Sequence, residues 1–300
     1  MIFRSLKYFI ALSHERHFGR AAAQCQVSQP TLSTSIKQLE DELEVPLVMR
    51  GQRFLGLTPE GERVLEWAKR IVADEDAMRQ ELSELRDGLE GRLRLGVVPT
   101  ALPAVPRLTG PFSLRHPAVS VSVRSLSSQE IQKALDNFEI DMGLTYLDNE
   151  PLKRVKAQRL YCERYALLVP AGSAFTGRAS VTWKEAAAEP LCLLSPDMQN
   201  RRIIDEAFAD AGATATPRIE TNSITSLGLH VATGQWSAIV PRHFVVGIGA
   251  PEGSQAIALT DPDVAHDVGI IIADREPLPP AAKAMLQVVN ELGGADLFDA

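Results

Sequence analysis

Apolar residues recur at helical spacing from the start of the chain. Phe3, Leu6, Phe9, Ile10 and Leu12 form one face of a first helix, with Arg4 and Lys7 interrupting the run. Ala22, Val27, Leu32, Ile36, Leu39 and Leu43 are spaced as the inner positions of two further helices joined by a tight turn. The second of these has a defined start, because Ser28 is a good N-cap and Pro30 is tolerated in a first turn whose N–H groups lack intrahelical partners. A helix over residues 29–43 is therefore predicted. Gly51 and Gly56 flank Gln52-Arg53-Phe54-Leu55, the pattern of a small hairpin, and Thr58-Pro59 read as the cap and first position of the next helix. That helix is expected to run to Leu89, with Leu65, Ala68, Val72, Glu75, Met78, Leu82, Leu85 and Leu89 recurring at spacings of three and four. Between heavily charged flanks such a seam calls for a partner helix, which makes Leu65, Val72, Leu82 and Leu85 candidate dimer contacts; packing on the helix's own domain is the alternative.

Beyond Gly91 the texture changes to alternating strands and helices. Residues 92–98 read as a strand and 99–114 as a turn and helix; Val119, Val121 and Val123 alternate as a second strand, Ser127 and Ser128 cap a helix over 129–138, and 142–146 form a third strand. This order implies a mostly parallel sheet covered by helices. A second such unit begins near Tyr165, with strands at 165–169, 191–194, 219–221 and 237–240 and helices around 183–188 and 200–211; residues 268–273 and 280–292 return to the first. The expected organisation is a DNA-binding-type helical head over 1–58, a linker and dimerisation helix over 59–90, a first α/β subdomain over 91–163 completed by 268–300, and a second over 164–267.

Composition sharpens this picture. Residues 1–58 carry seven Lys and Arg (Arg4, Lys7, Arg16, Arg20, Lys37, Arg50, Arg53) against five acids (Glu15, Glu40, Asp41, Glu42, Glu44), so the chain's net charge of −7 divides into +2 here and −9 in the remainder. A modest basic head on an acidic body fits nucleic-acid contact at one end. No apolar run approaches the roughly 20 residues a bilayer demands, and the charges in the first helix argue against a secretory signal, so a cytoplasmic protein is expected. Three cysteines (Cys25, Cys162, Cys192) lack metal-ligand spacing and fit a reducing compartment; a redox pair of Cys162 and Cys192 is conceivable beside the simpler reading of buried thiols. With no phosphate loop, nucleophile elbow or metal cluster in the sequence, neither an enzyme nor a bound cofactor is expected.

The helical head carries the most specific signal. Arg20-Ala-Ala-Ala, Val27-Ser-Gln-Pro-Thr-Leu-Ser33, Ile36, Leu39-Glu40, Leu43, Val45-Pro-Leu47, Arg50 and Leu57-Thr-Pro-Glu-Gly61 resemble the signature of the LysR-type transcriptional regulators nearly throughout, and Leu93-Arg-Leu-Gly-Val97 opens the C-terminal part as in that family. The likeness spans the whole chain. It implies a winged helix-turn-helix, a long linker helix, a two-subdomain effector domain similar to periplasmic binding proteins, and homodimers that pair into tetramers, with RNA polymerase as a further partner. The stretches at 135–146 and 190–202 are similar to regulators of NAD-linked formate dehydrogenase operons. Thr34 and Ser35 depart from the family, where many relatives carry Arg or Gln facing DNA.

In a helix-turn-helix the first turn of the second helix enters the major groove of duplex DNA. Ser28, Gln29, Pro30 and Thr31 occupy that turn; Ser33, Thr34 and Ser35 face outward between core positions, Lys37 reaches phosphate, Arg50 and Thr58 are phosphate candidates, and Arg53 sits at the wing tip for the minor groove. Gln29 is the best base reader, its amide suited to adenine. A dimer reads an interrupted dyad with half-sites about one helical turn apart. For the effector, three loops lie where ligands bind in paired α/β units: Pro99-Thr100, Ser127-Ser128, and the loop leading to Gln199, Asn200 and Arg201, with Thr221-Asn222 a fourth. Hydroxyls and free N–H groups at helix starts favour a small anion, formate or another small carboxylate. Plain capping by Ser127 and Ser128, and a surface ion pair at Arg201 or Arg202, are the alternatives.

Overall fold

The computed structural model describes residues 2–50, 54–86 and 88–292. The chain divides near Leu89 into two compact units.

The N-terminal unit holds α1 (Ile2–Glu15), α2 (Phe18–Gln24), α3 (Gln29–Leu43), the antiparallel pair β1 (Val48–Arg50) and β2 (Phe54–Leu57), and α4 (Pro59–Glu84). Leu6, Phe9 and Leu12 of α1, Ala21 and Ala22 of α2, and Leu32, Ile36 and Leu39 of α3 close one core, joined by Ala68 of α4. Local chemistry sets the helix starts. The His17 ring accepts the N–H groups of Gly19 and Arg20 to open α2, and Ser28 Oγ accepts the Thr31 N–H to open α3. Glu40 reaches from α3 to accept the N–H groups of Leu47 and Val48 at 2.9 and 3.1 Å, fixing where β1 begins. Gly61 packs α4 on the same segment so closely that a Cβ there would stand 2.1 Å from the Leu47 carbonyl oxygen.

Helix α4 ends at Glu84, short of the expected Leu89. Gly88 takes a left-handed φ of +101°, and Ser83 Oγ donates to its carbonyl at 3.1 Å. Leu65 and Val72 are not on a free seam, because they pack against the core of their own unit. Glu75 is also turned inward: its buried carboxylate meets Lys7 Nζ of α1 at 2.8 Å and bonds Arg79, and the Lys7 ammonium holds it below the usual carboxylate range. The large apolar side chains exposed on α4 are Trp67, Ile71, Met78 and Leu82, with Leu85 exposed at its C-cap.

The C-terminal unit begins with β3 (Gly91–Val97), a 3-10 turn over Pro99–Ala104, α5 (Val105–Arg115), β4 (Val119–Ser125), α6 (Ser128–Asp136) and β5 (Met142–Tyr146). It continues through β6 (Val155–Pro170), β7 (Ser180–Thr182), α7 (Trp183–Ala186), β8 (Leu191–Leu194), α8 (Gln199–Asp210), β9 (Ile219–Thr221), α9 (Ile224–Ala232), β10 (Ser237–Pro241), α10 (Arg242–Ile248), β11 (Ser254–Thr260), β12 (Ala265–Ala273) and α11 (Pro280–Glu291). Strand order is β4-β3-β5-β12-β6-β10-β8-β9, with β11 bridging β6 and β7. The parallel strands β4, β3 and β5 form one lobe and the parallel β10, β8 and β9 the other. Strand β6 belongs to both, pairing with β12 up to Arg164 and with β10 and β11 from Tyr165 onward.

Strand β6 starts ten residues before the expected 165, at Val155. Its first half lacks an apolar alternation because its charged side chains find partners on neighbouring elements, Arg159 on Asp267 at 2.6 Å and Lys156 on Glu276 at 3.1 Å. No helix among the described residues is long and apolar enough to cross a membrane.

Candidate functional site

The exposed first turn of α3 carries Gln29, Pro30 and Thr31, with Thr34 and Lys37 exposed further along the same helix. Ser28 serves as cap, its hydroxyl also 2.8 Å from Thr31 Oγ1. Two expected DNA contacts are occupied otherwise. Half-buried Ser35 meets Ser5 of α1 at 2.9 Å between hydroxyls, and Thr58 donates to the Pro46 carbonyl at 2.6 Å while accepting the Gly61 N–H as cap of α4. Ser33 is half-buried; Arg53 and the side chain of Arg50 lie outside the described residues. Beside the reading turn, Arg4, Ser5 and Tyr8 of α1 join Pro30, Thr31, Thr34 and Gln38 in a groove of about 450 Å³. Arg4 and Gln38 were missed because a polar residue on a helix that also packs a core gives no local sign of which neighbour it flanks.

The second site is a cleft of about 410 Å³ between the lobes of the C-terminal unit, lined by Pro99, Ser127, Met198, Asn222 and Ser223 among others. Pro99 opens the 3-10 turn, and Ser127, Met198 and Ser223 are the N-caps of α6, α8 and α9, so four helix starts meet here. The starts of α6 and α9 are closed by their own serine hydroxyls; the 3-10 turn and α8 have no capping side chain. Ser127 forms a capping box with Glu130, whose carboxylate accepts the Ser127 N–H at 2.8 Å.

The structure corrects the expected donor set. Arg201 is buried and committed: Nε donates to Asp205 at 2.9 Å, and Nη1 to Glu220 at 2.7 Å and to the Leu194 carbonyl at 2.9 Å. Ser128 donates to Glu150 and accepts from Arg202, which itself bonds Glu150. Thr221 Oγ1 accepts the Ser223 N–H at 3.2 Å, so it serves the α9 turn. Gln199 is buried, its Nε2 donating to Asn149 at 3.4 Å and its Oε1 without a partner among the described residues.

Behind Pro99 lies a buried polar cluster invisible to motif reading. Thr100 Oγ1 stands 3.1 Å from the Tyr146 hydroxyl, which accepts from Asn200 Nδ2 at 3.0 Å and is hydrogen-bonded to Glu163 Oε1. His243 Nε2 donates to the Thr100 carbonyl at 2.9 Å. Burial pushes the fully enclosed Glu163 carboxyl up to about 7, against which the Tyr146 hydrogen bond acts in part; burial also pushes His243 down to about 4 and holds the Tyr146, Tyr161 and Tyr165 hydroxyls well above their usual range. Glu163 Oε2, Tyr165 OH and Asn200 Oδ1 are buried without hydrogen-bond partners among the described residues. The one sequence signal is phase: Glu163 shares the inward face of β6 with Tyr161 and Tyr165.

A head presenting a recognition-helix turn, and a two-lobed α/β unit with a cleft between its lobes, define a DNA-binding regulator with an effector-binding domain. The chain belongs to the LysR family: the family's bacterial regulatory helix-turn-helix matches residues 3–62 and its substrate binding domain residues 86–293. Among its relatives, the DNA-binding transcriptional dual regulator OxyR of Escherichia coli K12 is 26% identical over 282 residues, 93% of this chain and 91% of that one. The regulator AlsR of Bacillus subtilis is 31% identical over 200 residues, covering 66% of this chain and 65% of its own. Full-length OxyR from Pseudomonas aeruginosa, a cysteine-to-aspartate variant, superposes with a TM-score of 0.74 at 26% identity over 97% of this chain and 95% of that one. CbnR bound to its target DNA shares the fold, with a TM-score of 0.69 at 23% identity over 97% and 99% of the two chains.

Proposed function

We propose that this regulator holds a small carboxylate, formate being the first compound to test, in the cleft of its C-terminal unit, and that occupancy sets how a dimer sits on an interrupted DNA dyad. The convergence of four helix starts on one cleft carries this reading. Each helix N-terminus presents about half a positive charge and outward N–H groups, strongest where no side chain caps it, as at α8. Glu130 and Asp197 also line the cleft, and their charges offset those dipoles, which suits a single compact anion and disfavours a polyanion. With Arg201 committed elsewhere and both Ser127 donors given to Glu130, the contacts fall to Asn222 and the first N–H groups of α8, with Thr100, buried next to the cleft-lining Pro99, as the remaining candidate. Few contacts give affinity near millimolar, about −4 kcal/mol.

Relatives named as hydrogen peroxide-inducible genes activators suggest a second reading, peroxide sensing. Thiol chemistry of that kind needs an accessible thiolate. Burial instead pushes Cys25 and Cys162 up and Cys192 up to about 11, and Cys192 is buried, so these thiols favour reversible, noncovalent control. The exposed stripe of Trp67, Ile71, Met78 and Leu82 on α4, continued by Leu85 at its C-cap, supports the dimer, with tetramers assembled from it. Footprinting on the DNA flanking its own gene, with formate, acetate or hydrogen peroxide, tests the proposal. Formate should alter the wild-type footprint and leave that of Thr100→Val unchanged; a response to peroxide alone, or an unaltered Thr100→Val response to formate, overturns it.

A further inference from the structure

The groove beside the reading turn of the N-terminal unit is a seam between two helix faces. Arg4 and Tyr8, one turn apart, give the α1 side; Thr31, Thr34 and Gln38, spaced by three and four, give the α3 side. The hydroxyls of Ser5 and Ser35, 2.9 Å apart, tie the two helices together there. The lining holds one cation, Arg4, among hydroxyls and an amide, and no acid. Lys7, also on α1, is tied to Glu75 and Asp76, whereas Arg4 is exposed and has no ion pair among the described residues. Tyr8 is only 7% exposed, lines the groove, and has no hydrogen-bond partner for its hydroxyl among the described residues.

An α-helix is about 10–12 Å across and the major groove about 12 Å wide, so a recognition helix fills the groove and its flanks stand against the sugar–phosphate walls. The seam lies on such a flank, because it shares Pro30, Thr31 and Thr34 with the exposed face of α3. We propose that Arg4 and Tyr8 of α1 hold a phosphate of one DNA strand in this seam, Arg4 as the charge and Tyr8 as a neutral donor. An unpaired guanidinium beside hydroxyl donors, with no carboxylate to compete, takes an anionic oxygen. Phosphates repeat whatever the sequence, so the contact adds affinity and fixes how α3 is seated, and it leaves base preference to the reading turn. It is independent of what occupies the cleft of the C-terminal unit.

Fluorescence anisotropy of the full chain on labelled duplex flanking its own gene, and on random duplex, over a salt range of about 50–200 mM tests the contact. Each phosphate neutralised by a cation contributes about 0.9 to the slope of log affinity against log salt. Arg4→Ala should therefore weaken binding to both duplexes and flatten the slope by about 0.9 for each head engaged, while Arg4→Lys, which keeps the charge, should keep the slope. Arg4 is exposed, so both variants should melt with wild type. Tyr8→Phe removes a donor and no charge, and should weaken both duplexes roughly three- to tenfold at an unchanged slope. Duplexes carrying a neutral methylphosphonate at single positions then locate the contact: at one phosphate in each half-site the substitution should weaken wild type and leave Arg4→Ala unaffected. A slope shared by wild type and Arg4→Ala, a loss confined to the flanking duplex, or a methylphosphonate pattern identical in the two proteins overturns the proposal.

Discussion

Replacing Glu163 by Gln is expected to change how the stability of the C-terminal unit depends on pH. In the folded chain this carboxyl sits at about 7, against an ordinary 4.5, because burial strips water from its charged form. That difference of roughly 2.5 units corresponds to about 3 kcal/mol at about 1.4 kcal/mol per unit. Below pH 4.5 both folded and unfolded chains hold the proton and the group has no pH-dependent effect. Between 4.5 and 7 the unfolded chain releases its proton first, so stability falls as pH rises; above 7 the loss is complete. Gln has no proton to lose. Glu163→Gln should therefore match or fall slightly below wild type at pH 5 and exceed it at pH 8 by about 2–3 kcal/mol, or roughly 5–10 °C in the melting temperature of a unit this size. Thermal unfolding followed by circular dichroism at a series of pH values measures it. Wild-type and variant melting temperatures that run parallel from pH 5 to pH 8 would refute the reasoning.

Gln29→Ala should weaken binding to the cognate operator by roughly 1–3 kcal/mol and barely alter binding to random duplex, since it removes a base contact and no phosphate contact; equal losses in gel-shift titrations on both would contradict its role. Gly61→Ala forces a Cβ against the Leu47 carbonyl, so the N-terminal unit should lose about 1–3 kcal/mol in denaturant unfolding, with an unchanged midpoint counting against that contact. Leu82→Asp puts a charge into the exposed apolar stripe of α4 and should split the dimer in light scattering, whereas Leu65→Ala should lower stability with the dimer retained.

What the sequence made legible was local chemistry. Ser28, Thr58 and Ser127 cap helices within three residues of themselves, so the starts of α3, α4 and α6 could be read directly. The phase of α4 could not, because that helix has two apolar stripes: Leu65 and Val72 face its own core while Met78 and Leu82 face out, and spacings of three and four fit either. Arg201 looked like a free donor since one of its partners, Glu220, lies on another element. Glu163 was passed over because a single acid in a strand carries no motif; its enclosure depends on Tyr146, Asn200 and His243, which the fold brings from three other elements.

The measurement closest to the central claim is a crystal structure of the full chain grown with formate. The account predicts the anion in the cleft between the lobes, within hydrogen-bond distance of the first N–H groups of α8 and of Thr100 Oγ1, with the Arg201 guanidinium still on Asp205 and Glu220. Formate bound elsewhere on the chain, or an empty cleft in crystals of a protein whose footprint formate demonstrably alters, would contradict it.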